Sequence, residues 1–429
     1  MTALLILTIL LVLLLTGTPI SIALGMTVLT FLVLFASFSM AMVDVLSQRL
    51  FTGLESFAIM AVPFFILAGV FLTEGGIAAR IIRFAQALVG SLPGGLAMAT
   101  VLACAFFATI SGSSPATVVA IGSIMLPAML KNGYPKRFAV GVISTSGSLG
   151  ILIPPSIVLI IYAVSTSESA GKMFMAGMVP GAMLAGLLML ITYATARVKK
   201  FPTMPRANAR EIWTAFREAF WGLLLVVIVL GGIYGGFFTP TEAAAVSAVY
   251  AFVAAVWIYG GLKLRQVPKV LISAANTSAM LLYIITNAIL FSFLLTSEQI
   301  PQDLAEWVVS SELSPWMFLL MLNIALLIAG QFMEPTGIIL ILAPLALPIA
   351  IALGIDPVHL GIVMTINLEI GMISPPVGLN LFVASHMARM GMTQVAIAAL
   401  PWAAALIGFL ALITYVPQIS LWLPNLVYG

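Results

Sequence analysis

The sequence of 429 residues is 62% hydrophobic and 7% charged, with a mean hydropathy of +1.21, whereas a soluble domain carries about a quarter of its residues as Asp, Glu, Lys or Arg. So apolar a chain cannot cover itself with polar surface in water, which excludes a soluble enzyme, a nucleic-acid binder and a disordered scaffold. A net charge of +3 from few ionised residues says little about partners, and one cysteine (Cys104) and two histidines (His359, His386) exclude a disulfide framework and argue against a transition-metal centre.

Residues 3–15 form an apolar run with no preceding Lys or Arg and no A-x-A site after it, so they read as a retained membrane helix rather than a secretory signal. Thr16-Gly17-Thr18-Pro19 turns the chain into a second apolar segment, 19–36, followed by 57–73. Segment 77–90 mixes Arg80 and Arg83 with isoleucines and reads as an amphipathic helix on the membrane surface. Two apolar arms, 93–110 and 115–130, flank a Gly/Ser/Pro elbow and predict a re-entrant hairpin over 93–130. An interrupted helix over 137–165 and a helix at 177–196 complete the first unit, 1–200. The polar stretch 201–221 reads as a cytoplasmic linker. The second unit, 222–429, offers 222–238, 241–259 and 270–296, a surface helix at 301–311, a hairpin over 315–352, a broken helix over 358–385 and a helix at 401–423.

The two units are copies of one pattern. Eight of the eleven prolines before residue 210 have a partner 220–222 residues later, among them Pro19/Pro240, Pro115/Pro335, Pro154/Pro375 and Pro155/Pro376. If each hairpin enters and returns, each copy crosses the membrane five times. An odd number makes the copies inverted. That arrangement puts 15 of the 17 Lys and Arg on one side, leaving Arg49 and Lys172 opposite, whereas six crossings per copy would split them 13 to 4. The positive-inside rule prefers the first, with both termini outside and the linker cytoplasmic. The expected fold is an all-α multi-pass membrane protein of two inverted repeats, each with one hairpin and one broken helix. Segments 3–73 and 222–296 would form a scaffold.

Four stretches demand non-helical backbone at membrane depth, which is tolerated only where protein or a water-filled cavity satisfies it. They are Ser111-Gly112-Ser113-Ser114-Pro115-Ala116-Thr117, Gly330 to Gly337, Ser144 to Ser156, and Thr365 to Pro376. Each break ends one half-helix, whose carbonyls suit a cation, and starts another, whose N–H groups suit an anion. Oxygen-bearing side chains dominate, as a hard cation requires. Candidate substrate-facing residues are Ser114, Thr117, Ser148, Pro155, Glu334, Thr336, Glu369 and Pro376. The bland readings stand beside these: the Pro-Pro pairs as kinks, the serines as small residues for close packing, Glu369 as a structural hydrogen-bond partner. Thr239-Pro240-Thr241-Glu242 reads as a capping box. No P-loop is present and all three aspartates fall outside the expected membrane-crossing segments, so no enzyme chemistry is indicated.

The elbow Ser111 to Thr117, the stretch Gly150 to Ser156, the segment Phe332-Met333-Glu334-Pro335-Thr336-Gly337 and the run Pro375-Pro376-Val377-Gly378-Leu379-Asn380 resemble the large membrane subunit of TRAP transporters, the DctM-like family, across essentially the whole chain. The resemblance implies a sodium-driven importer of an organic acid such as a C4-dicarboxylate, with an elevator-type mechanism, in the bacterial inner membrane. It implies two partners: a small four-helix membrane subunit, expected as a separate polypeptide because this chain starts at the first helix of the large one, and a periplasmic substrate-binding protein. It implies no cofactor beyond coupling sodium ions. Carried over, one sodium site would draw on Ser111, Ser113, Ser114, Gly147 and Gly150, and a second on Thr336, Gly337, Asn367 and Gly371. A stand-alone sodium/dicarboxylate symporter and a non-transporting assembly subunit are the alternatives.

Overall fold

The computed structural model describes residues 2–35, 40–55 and 57–428. Residues 36–39 and 56, inside the expected scaffold range 3–73, lie outside it. Among the described residues there are twenty α-helices and no strand, and eight helices are long and apolar enough to cross a membrane.

The chain opens with α1 (Thr2–Leu15), α2 (Ile20–Phe35), α3 (Met40–Leu54), α4 (Phe57–Glu74) and α5 (Ile77–Val89). Next come the hairpin arms α6 (Gly95–Ser111) and α7 (Ser114–Lys131). The first broken helix runs as α8 (Lys136–Ser146), a 3-10 turn over Gly147–Ile151 and α9 (Ile157–Thr166), before α10 (Ala170–Val198). The second half follows a related order, without a counterpart of α3 and with two helices where the first half has α10. It comprises α11 (Ala209–Tyr234), α12 (Pro240–Val253), α13 (Val267–Ser297), α14 (Ile300–Ser310), the arms α15 (Pro315–Gly330) and α16 (Pro335–Ala352), the broken pair α17 (Pro357–Gly371) and α18 (Leu379–Ala388), then α19 (Met392–Tyr415) and α20 (Gln418–Tyr428).

Local chemistry sets these starts. Proline sits in the first turn of α7, α12, α15, α16 and α17, where a missing N–H costs nothing. At α12 the Thr239 hydroxyl accepts from the Glu242 N–H (3.3 Å) while Glu242 Oε2 accepts from the Thr239 N–H (2.8 Å), closing the capping box. Three boundaries differ from the pattern of apolar runs. The stretch 201–221 is not linker throughout: α11 begins at Ala209, capped by Asn208 and Glu211, because its first turns are amphipathic rather than apolar. The helix expected over 177–196 begins a full seven residues earlier, capped by Ser169. The segment expected over 401–423 is two helices parted at Val416 and Pro417, since α19 starts at Met392. Helix α3, with Asp44 and Arg49, was too polar to be picked out as an apolar run.

Packing sorts the helices. α4 lies against α12 and α13, α2 against α13, and α5 against α11. The amphipathic α5 buries Ile77, Ile81 and Ile82; Arg83 pairs with Glu218 of α11, and the Arg80 guanidinium stacks 4.2 Å from the Tyr259 ring centroid. The interrupted helices pack across the halves: α9 on α16, and α18 on α7.

Candidate functional site

The first elbow is a tight turn of hydroxyls. Gly112 ends α6 in the left-handed region (φ 58°), with its N–H on the Ala108 carbonyl. Ser111 Oγ and Thr117 Oγ1 lie 2.7 Å apart, and Thr117 also donates to the Ser113 carbonyl at 2.9 Å. Thr117 therefore braces the elbow from its buried position and does not border the cavity described below. At the second elbow Glu334 stands at the N-cap position of α16, where its carboxylate accepts from the Thr336 hydroxyl at 3.0 Å and not from the helix backbone.

Each elbow presses on the broken helix of its own half through glycine. A Cβ on Gly150 would lie 2.7 Å from the Ser113 carbonyl oxygen, and one on Gly371 would lie 2.6 Å from Gly330 Cα. Gly147 abuts Val118 of α7 instead, and Gly337 faces Ile20 of α2. The Pro154-Pro155 and Pro375-Pro376 bonds are cis. Pro155 is buried with its carbonyl against Gly112, whereas Pro376 is exposed.

Between these elements is a cavity of about 600 Å³. Ser111 to Ala116, Ile157 and Val158, Glu334 to Thr336, and Leu379 bring to it the starts of α7, α9, α16 and α18. Its opposite wall comes from α4 (Ile66 to Glu74) and α13 (Ser273 to Leu281). Among the described residues, neither Lys nor Arg borders it. Of the residues expected at the site, Ser111, Ser113, Ser114, Glu334 and Thr336 come together here. Ser148, Asn367 and Glu369 sit behind the cavity wall, fully buried.

That buried layer holds oxygens in search of partners. Asn367 Nδ2 donates to Asn323 Oδ1 at 2.6 Å, and Asn323 Nδ2 to Thr414 Oγ1 at 3.0 Å, but Asn367 Oδ1 meets no donor. Neither carboxyl oxygen of Glu369 meets one either; the neighbouring Ser148 hydroxyl donates to the Thr145 carbonyl at 2.6 Å. Unpaired buried acceptors are costly unless something binds them, and an amide oxygen suits a hard cation. Asn380, quoted in the Pro-Pro motif but given no role by the sequence, is also fully buried and touches the first elbow. The wall from α13, Ser273 and Thr277, likewise lay outside every motif.

A multi-pass helical fold with broken helices around a central cavity is a transporter architecture. Among solved structures it is similar to the YdaH transporter of Alcanivorax borkumensis (TM-score 0.66, 16% identity, 94% of this chain and 98% of that one). It is also similar to MtrF of Neisseria gonorrhoeae (TM-score 0.60, 14% identity, 88% and 83%). The sequence narrows the class. Residues 7–419 match the family described as the DctM component of tripartite ATP-independent periplasmic transporters, and the chain belongs to that family. It is 59% identical to the C4-dicarboxylate TRAP transporter large permease protein DctM of Rhodobacter capsulatus, over 99% of both chains. It is 55% identical to the DctM of Pseudomonas aeruginosa, over 90% of this chain and 91% of that one. Identity to the isethionate TRAP transporter permease protein DctMQ of Oleidesulfovibrio alaskensis is 42%, over 94% of this chain and 64% of that one. The chain is thus a large permease subunit of a membrane transporter and not an enzyme.

Proposed function

We propose that this permease carries a C4-dicarboxylate into the cell together with sodium, working with a small membrane subunit and a periplasmic binding protein in the inner membrane. One observation carries the reading: four helices begin at one cavity that no Lys or Arg among the described residues borders. Helix starts present free N–H groups and a positive dipole end, so they suit carboxylates. Sodium ions beside them offset the remaining charge in a low-dielectric site. Each elbow serves both: its starting half-helix presents N–H groups to a carboxylate, and its oxygens serve sodium, at the first through Ser111, Ser113 and Ser114 and at the second beside Glu334. Asn367 Oδ1 supplies an unpaired oxygen behind it.

The two copies act as inverted repeats, with hairpins and broken helices forming a body that moves against α1–α4 and α11–α13. Exposed Thr73, Glu74, Ser273 and Thr277 form the cavity mouth. These residues lie close in sequence to Arg80 and Arg83 of α5 and to Lys263, Arg265 and Lys269 at the start of α13. Under the positive-inside rule this mouth faces the cytoplasm. The state is then inward-open.

Uptake of labelled succinate into proteoliposomes tests the whole reading. Uptake is expected only with all three components and an inward sodium gradient. Uptake by this chain alone would replace the tripartite reading with a stand-alone symporter, and uptake indifferent to sodium would remove the coupling ion.

A further inference from the structure

The stretch that joins the two halves is fastened down rather than free. The Phe201 ring stands edge-on to Phe138 with centroids 4.6 Å apart, and the Tyr134 hydroxyl donates to the Pro202 carbonyl at 3.0 Å. The Met204 N–H donates to the Gly90 carbonyl at the end of α5, also at 3.0 Å. From Arg197 to Glu218 this region carries six Lys and Arg against two acids, Glu211 and Glu218. Both acids are committed: Glu211 accepts from the Asn208 N–H, and Glu218 pairs with Arg83 of α5. Arg206, Arg210 and Arg217 are exposed, and none of them meets a carboxylate among the described residues. Along α11, Arg210, Trp213, Arg217 and Trp221 recur at the three- and four-residue spacing of a single helix face, and all four are exposed. Ala215 and Ala219, on the opposite face, are buried. Deeper along the exposed side come Leu224 and Ile228.

We propose that the face of α11 from Arg210 to Trp221, with Arg206 just ahead of it, is a binding site for an anionic phospholipid of the cytoplasmic leaflet. Only the choice of leaflet rests on the orientation proposed above. The order along the face is the order of a leaflet: guanidiniums at headgroup level, indole rings at the boundary, aliphatic side chains in the hydrocarbon. Arg210 and Arg217 stand two turns apart, about 10 Å along the axis, and their planar donors bracket a phosphodiester. Charge selects the headgroup. A zwitterionic lipid would bring its own cation among three unpaired guanidiniums, whereas phosphatidylglycerol brings none. A soluble acidic partner would have no use for Trp213 and Trp221, which are 60% and 41% exposed beside the charges. A purely apolar partner would leave the guanidiniums desolvated and unpaired. The bound lipid holds α11 at a fixed depth and, through the Glu218–Arg83 pair, holds α5 as well.

Native mass spectrometry of the full-length chain in detergent tests this, with phosphatidylglycerol and phosphatidylcholine supplied in equal amounts as probes. Wild type is expected to retain phosphatidylglycerol in clear preference. One interfacial charge changes binding to anionic lipid about fivefold, so Arg206→Gln/Arg210→Gln/Arg217→Gln should lower retained phosphatidylglycerol by about tenfold or more. Retained phosphatidylcholine should not change. Contact at the face is read separately by fluorescence in mixed micelles: brominated phosphatidylglycerol should quench more than brominated phosphatidylcholine, and that excess should vanish in Trp213→Phe/Trp221→Phe. Equal retention of the two lipids by wild type would overturn the proposal. So would a wild-type preference in the triple arginine variant, or an excess quenching that survives the loss of both tryptophans. The quenching measurement decides the matter if the arginine variant does not fold. Bound phosphatidylglycerol that leaves when the small membrane subunit is added would give the face to that subunit instead. Neither readout involves uptake, so a chain that carried no dicarboxylate would remove the proposed function and leave this site standing.

Discussion

Gly150 and Gly371 stand where two backbones meet, and each marks a place where an elbow touches its own broken helix. An added methyl at either has nowhere to go, since the nearest atoms are backbone of Ser113 and of Gly330. Overpacking of this kind costs about 1–3 kcal/mol, and here it would push the elbow away from the carbonyls proposed to hold sodium. Gly150→Ala and Gly371→Ala are both expected to lower the unfolding temperature by a few degrees and to raise the sodium concentration for half-maximal uptake. An unchanged sodium requirement in both would detach these glycines from the coupling sites. Ser114→Ala and Asn367→Ala should weaken sodium dependence in chains that still fold. Sodium titration of uptake reads this directly, and wild-type titrations in both would remove the two residues from the ion sites.

At the scale of elements, helix starts were readable where proline opens an apolar run: α15 and α16 begin and end where the apolar arms do. The missed boundaries share a cause. α11 leaves the apolar zone while still helical, and α3 never enters the apolar pattern, so a reading built on hydrophobic runs passes over both. The Asn208–Glu211 box was the signal that would have found α11. The site divides in the same way. Elbow serines announce themselves by their Gly/Pro setting, but Asn380 is an ordinary residue at the start of an ordinary helix, and only the docking of α18 on α7 reveals its partner. The chain from Asn367 through Asn323 to Thr414 was equally invisible, because it joins α17, α15 and α19. Removing its middle member tests its worth. Asn323→Leu strips Asn367 Nδ2 of its acceptor, which should cost about 1–3 kcal/mol and appear as a lower unfolding temperature in detergent. Wild-type stability would mean that Asn367 finds another partner at no cost.

At the scale of the molecule, the proposed mechanism requires the hairpins to travel against the scaffold, and among the contacts that span that divide the approach of α16 to α2 is open to a direct test. A Cβ on Gly337 of α16 would lie 2.5 Å from Ile20 Cδ1 of α2, with Ile20 Cγ1 at 3.6 Å and Cγ2 at 3.8 Å. Paired cysteines at 20 and 337 therefore stand within reach of a disulfide, and the smaller residue at 20 makes room for the new side chain at 337. Cys104, the one native cysteine, is buried and does not compete. If α16 slides along α2 in each transport cycle, oxidising Ile20→Cys/Gly337→Cys traps the present state. Sodium-driven uptake should then fall to background and return on reduction, while each single variant stays insensitive to oxidant. Uptake that continues with the bridge shown intact by mass spectrometry would mean that α16 and α2 move as one body. The moving part would then have to be sought elsewhere, and the division into scaffold and transport body would fail.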